Sequence, residues 1–78
     1  MKLTEVPKGK FCKIKSISAQ DRYLKRFAEM GLRTGACVKV LRFAPLGDPI
    51  EVKIGNAFLS IRCENAGRIE VDLADKSN

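Results

Sequence analysis

The chain contains no histidine, no tryptophan and a single tyrosine in 78 residues. Losing histidine removes the commonest general base, and with it the Ser-His and Cys-His pairs that activate nucleophiles, so an enzyme is not expected. Cysteine is scarce as well. Cys12, Cys37 and Cys63 are odd in number, far apart and without a C-x-x-C pair, and a tetrahedral zinc site built on them would lack a fourth ligand. They read as reduced, small hydrophobic residues within or beside strands. No metal site and no cofactor are therefore expected, and a carrier or sensor holding iron or zinc on these thiols or on surface carboxylates is the weaker alternative. Long apolar runs are missing too, so no segment is expected to span a bilayer. Met1 to Pro7 has a lysine but no apolar stretch after it, which predicts no secretory leader and a cytoplasmic location.

What is present is the composition of a folded domain, 45% hydrophobic and 31% charged. A chain this short has one small core and no room for a deep cleft. Its net charge of +6 and pI near 9.6 draw it toward something acidic, and charge alone does not choose among nucleic acid, an anionic membrane and an acidic protein. Lys13, Lys15, Lys39 and Lys53 alternate with apolar residues and read as the solvated outer faces of strands.

Alternation locates the strands. Cys12 to Ile17 predicts a first strand with Cys12 and Ile14 inward, and Cys37 to Arg42 a second. Ile50, Val52 and Ile54 alternate with Glu51 and Lys53 in a third. Gly55-Asn56 reads as a two-residue turn in which both residues tolerate positive φ, leading into Phe58 to Arg62 with Leu59 and Ile61 inward. Cys63 to Ala66 makes one helical turn stopped by Gly67, and Ile69, Val71 and Leu73 supply a last strand.

Between the first two strands the period changes. Ser18 suits an N-cap with Asp21 three residues on, and Tyr23, Leu24, Phe27 and Ala28 recur at helical spacing as one apolar stripe. Gly31 is placed to end that helix in a left-handed conformation, with Leu32 folding back onto the Phe27 turn. Five short strands with one apolar face each bury that face best by curling into a small barrel, plugged at one end by Leu24 and Phe27. An OB-fold usually carries its main helix between strands three and four. Here the helix follows strand one, so a five-stranded SH3-like barrel is expected over residues 1–74, with 75–78 a frayed polar tail.

The segment from Arg42 to Pro49 stands out as a candidate docking surface. Pro45 fixes φ for the second position of a type I turn, Gly47 suits its last position, and Asp48 before Pro49 is pushed toward an extended conformation. Leu46 is left at the apex with no core to join. Arg42, Phe43, Pro45, Leu46, Gly47, Asp48 and Pro49 form the candidate partner-docking set, with Arg33 a further basic neighbour. Single-stranded nucleic acid is the principal rival occupant for a basic barrel. With Phe27 and Tyr23 assigned to the helix stripe, Phe11, Phe43 and Phe58 are too few for a stacking platform, and no nucleic-acid partner is expected.

Taken in order, Glu29-Met30-Gly31-Leu32-Arg33-Thr34-Gly35, then Ala44-Pro45-Leu46-Gly47-Asp48-Pro49-Ile50, then Ser60-Ile61-Arg62 followed by Ala66, resemble the FeoA family over about Leu3 to Val71. Cys63 and Gly67 depart from the usual pattern. The resemblance implies an SH3-like accessory or regulatory protein of bacterial ferrous iron uptake, without catalytic activity. It also implies a partner, the FeoB-type permease with its cytoplasmic GTP-binding domain.

Overall fold

The computed structural model describes residues 1–18 and 22–75. Its elements run in the order of a short 3-10 turn (Leu3–Glu5), β1 (Phe11–Ile17), α1 (Arg22–Ala28), β2 (Cys37–Phe43), β3 (Ile50–Ile54), β4 (Ala57–Ile61), α2 (Cys63–Ala66) and β5 (Ile69–Ala74). All neighbouring strands are antiparallel, in the spatial order β4-β3-β2-β1-β5. This is the SH3-like arrangement expected from the placement of the helix. The sheet curls around one core without hydrogen-bonded closure, since β4 and β5 remain its two edges.

Every strand contributes to that core. Cys12, Ile14, Val38, Val40, Ile50, Val52, Leu59, Ile61, Ile69 and Val71 are buried, together with Leu24 of α1 and Ala66 of α2. Strict alternation fails at two places, for one reason. The β1–β5 register slips between Ile14 and Ser16, and the β2–β3 register between Val40 and Arg42. An extra residue in one strand turns the following side chains to the other face. Ile17 and Phe43 therefore pack against the core, although a period of two counted from Ile14 or Val40 would turn them outward. Leu73 instead is 56% exposed, because it lies near the end of an edge strand.

The helix ends as its sequence suggested. The Leu32 N–H donates to the Phe27 carbonyl (3.1 Å) and the Gly31 N–H to the Ala28 carbonyl (3.2 Å), with Gly31 at φ +106°. This is the paired bonding of a Schellman motif, and it buries Leu32. The ring of Phe27 is half-buried against the core, whereas Leu24 is buried within it. The expected cap fares differently. The Ser18 hydroxyl donates to the Arg68 carbonyl (3.0 Å), tying β1 to the turn before β5, while Asp21 and the side chain of Tyr23 lie outside the described residues. At the Gly55-Asn56 turn only Gly55 has positive φ, +57°, as in a type II′ turn, so Asn56 does not need the left-handed region.

The amino-terminal segment escaped the sequence reading. Leu3 and Val6 are fully buried, yet three residues of 3-10 turn carry no detectable period. The Lys2 N–H donates to the Glu5 carboxylate (2.6 Å), and the Val71 N–H donates to the Met1 carbonyl (2.7 Å).

Candidate docking surface

β2 and β3 meet at the Phe43–Pro49 tip, which is closed at its base and at its turn. The Ala44 N–H donates to the Pro49 carbonyl (3.0 Å), and the Gly47 N–H donates to the Ala44 carbonyl (2.6 Å). The latter is the 1→4 bond of a turn with Pro45 and Leu46 at its centre, and Gly47 follows at φ +88°. Leu46 is 97% exposed, the most exposed large apolar side chain described. The Asp48–Pro49 bond is cis.

The remaining candidates divide between contact with solvent and contact with the fold. Pro45, Gly47 and Asp48 are exposed, Pro49 is half-buried, and Phe43 leans on the core. The Arg42 guanidinium lies 3.3 Å from Glu51, its register partner on β3, an opposite-charge pair across adjacent strands. Arg33 is engaged elsewhere, its Nε donating to the Ala28 carbonyl (3.1 Å) at the end of α1. Neither arginine is thus a loose cation beside the apex.

Two contacts on the far side of the tip were not foreseen. The Asp48 carboxylate accepts from the Cys63 N–H (3.0 Å), and the Cys63 thiol donates to the Gly47 carbonyl (3.2 Å). Arg62 at the cap position of α2 offers that helix no side-chain bond, so Asp48 satisfies an N–H that would otherwise lack a partner. Both contacts join residues about fifteen apart, and local pattern carries no sign of them. Together they brace the loop against α2. A shallow depression beside Leu46 is walled by Asp48, Pro49, Ser60 and Arg62.

The three cysteines are not assembled into a site. Among the described residues no group of three His, Cys, Asp or Glu side chains is placed to hold a metal ion. Burial, with Cys37 nearby, pushes the Cys12 thiol up to about 11, and burial followed by the Asp48 carboxylate raises that of Cys63. Both thiols are protonated at neutral pH, the form that neither attacks nor ligates well.

Curled five-stranded sheet, helix after the first strand and braced β2–β3 tip define a small SH3-like domain whose most exposed apolar group stands on a stiff loop. A family model described as the FeoA domain matches residues 1–73. The chain belongs to the FeoA family, which is associated with ferrous iron transport. It is 36% identical over 73 residues to the Fe(2+) transport protein A/Fe(2+) transporter FeoB fusion protein of Porphyromonas gingivalis, matching 94% of this chain and 9% of that protein. The chain thus spans about a tenth of that relative's length. The solution structure of a FeoA protein from Chlorobium tepidum is 42% identical, with a TM-score of 0.88 over 94% of this chain and 70% of that one. The crystal structure of Stenotrophomonas maltophilia FeoA complexed with zinc, described as a procaryotic SH3 domain protein, is 29% identical. Its TM-score is 0.77 over 92% of this chain and 89% of that one.

Proposed function

We propose that this chain is a cytoplasmic accessory protein of bacterial ferrous iron uptake that acts, without catalysis of its own, by docking through its Phe43–Pro49 tip onto a FeoB-type permease. The observation that carries the reading is Leu46, 97% exposed on a loop closed by its own turn and braced through Asp48 and Cys63. A loop already held in one conformation loses little entropy on contact, so more of its contact energy appears as affinity. The P. gingivalis relative, in which FeoA and FeoB parts share one polypeptide, supports the choice of partner. Within the tip Leu46 is the anchor, Pro45 and Gly47 set the turn, and Asp48 holds its base. Phe43 and Arg42 act from behind, one against the core and the other against Glu51.

Leu46→Asp tests this directly. The side chain touches solvent, so circular dichroism and the melting midpoint should be unchanged. Association with the permease should weaken by the ~1 to 2 kcal/mol typical of losing an interface anchor, and ferrous iron uptake should fall with it. Intact capture and uptake by the folded variant would move the docking surface away from the tip.

A further inference from the structure

The outer face of the sheet carries a row that the tip does not use. Phe11 on β1 is the register partner of Lys39 on β2, Lys39 of Lys53 on β3, and Lys53 of Phe58 on β4. The two lysines stand directly opposite one another, a placement in which like charges destabilise a sheet. Among the described residues no carboxylate forms an ion pair with either of them, since the salt bridges there involve other groups. Instead each ammonium leans away from the other, Lys39 over the Phe11 ring (5.3 Å to its centroid) and Lys53 over the Phe58 ring (5.5 Å). An open groove with Leu41, Cys37 and Gly55 in its walls lies with them. Phe58, at its β4 border, is 66% exposed. A cation pair with no ion-pair partner among the described residues, beside Leu41 and two phenylalanine rings, is the complement of a carboxylate flanked by apolar side chains.

We propose that this face is a second docking surface, independent of the tip, and that its occupant is an acidic peptide segment of a partner protein in which carboxylates are interspersed with aliphatic residues. The carboxylates neutralise Lys39 and Lys53, and the aliphatic groups cover Leu41 and the rings. Single-stranded nucleic acid fits less well. Its bases need bare aromatic faces, and each ring here already carries an ammonium.

The test is a titration of the 15N-labelled chain at low salt with the peptide Ac-Leu-Asp-Glu-Leu-Asp-Glu-Leu-NH2, with its Asn/Gln counterpart, and with oligothymidylate. Saturable shifts centred on the amides of Phe11, Lys39, Leu41, Lys53 and Phe58 are expected with the acidic peptide, and none with the neutral one. The double variant Lys39→Gln, Lys53→Gln should bind the acidic peptide about tenfold more weakly. Its melting midpoint should equal or exceed the parent's, because a like-charge pair has been removed. Equal binding of the neutral peptide, shifts confined to other surfaces, or no saturation at all overturns the proposal. So does tighter binding of oligothymidylate to the same amides, which assigns the face to nucleic acid. A lowered midpoint with unchanged peptide affinity would make the lysines structural and likewise overturn it.

Discussion

Gly31 is a residue that the fold cannot exchange cheaply. Its φ of +106° lies where a side chain is strained, and a Cβ there would come within 3.2 Å of the Ile54 side chain. Gly31→Ala should therefore destabilise the protein by more than the ~1 to 2 kcal/mol of left-handed strain alone, read from urea unfolding. Asp48 is a milder case. Removing its carboxylate leaves the Cys63 N–H without its partner, and Asp48→Ala should cost about 1 kcal/mol, as loss of a helix cap does. Leu46 lies two positions away and stabilises nothing in the fold, so the two variants separate holding the tip from using it. Amide exchange at Gly47 and Cys63 should quicken in Asp48→Ala and stay at the parent rate in Leu46→Asp.

At the scale of elements, α1 divides its stripe unevenly between core and surface. Leu24 is 4% exposed and Phe27 is half-buried. Leu24→Ala should cost about 2 to 4 kcal/mol, and Phe27→Ala about 2 despite its larger side chain, less than the 3 to 5 of a ring enclosed on all sides. A clearly larger cost for Phe27→Ala than for Leu24→Ala in the same urea experiment would mean that the helix sits differently on the sheet. Periodicity identified β1 to β5, α1 and its glycine stop because each rests on neighbours a few residues apart. The bulges at Ile14–Ser16 and Val40–Arg42 were not legible. They are set by pairing across the sheet, and they alone explain why Ile17 and Phe43 face inward. The buried Leu3 and Val6, the Ser18–Arg68 bond and the Asp48–Cys63 brace stayed hidden for the same cause. Each partner is remote in sequence. For the tip, the turn, the Gly47 position and the exposure of Leu46 could be read from Pro45 and Gly47, whereas the spending of Arg42 on Glu51 and of Phe43 on the core could not. Lys39 and Lys53 read one strand at a time as ordinary solvated charges, and only the register sets them face to face.

The whole molecule is fastened where its first and last strands of chain meet. The Met1 ammonium lies 3.0 Å from one Glu70 oxygen and the Lys2 ammonium 2.8 Å from the other, and Lys2 also bridges to Glu70 through the backbone. The bond from Lys2, with that from the amino terminus, holds the Glu70 carboxyl at about 2, below its ordinary 4.5. A carboxyl lowered in the folded state takes up protons more readily when the chain unfolds. Its stabilisation is complete above about pH 4.5 and disappears as pH falls toward 2. Melting midpoints measured near pH 6 and near pH 3 should accordingly lie closer together in Glu70→Gln than in the parent. An unchanged gap would mean that other carboxylates govern the acid response.

The same fastening lays the amino-terminal end of the fold along its last strand, since the Val71 amide reaches the Met1 carbonyl. Residue 1 and Ala74, where β5 ends, thus lie along the same edge of the sheet, like the two cords of a pendant. A tether attached at either end would hang the domain from that edge and leave its orientation to the tether. Fusion through the amino-terminal end would forfeit the ammonium contact with Glu70, whereas fusion through the carboxyl-terminal end would keep it, and the strand pairing of the sheet is intact in either case.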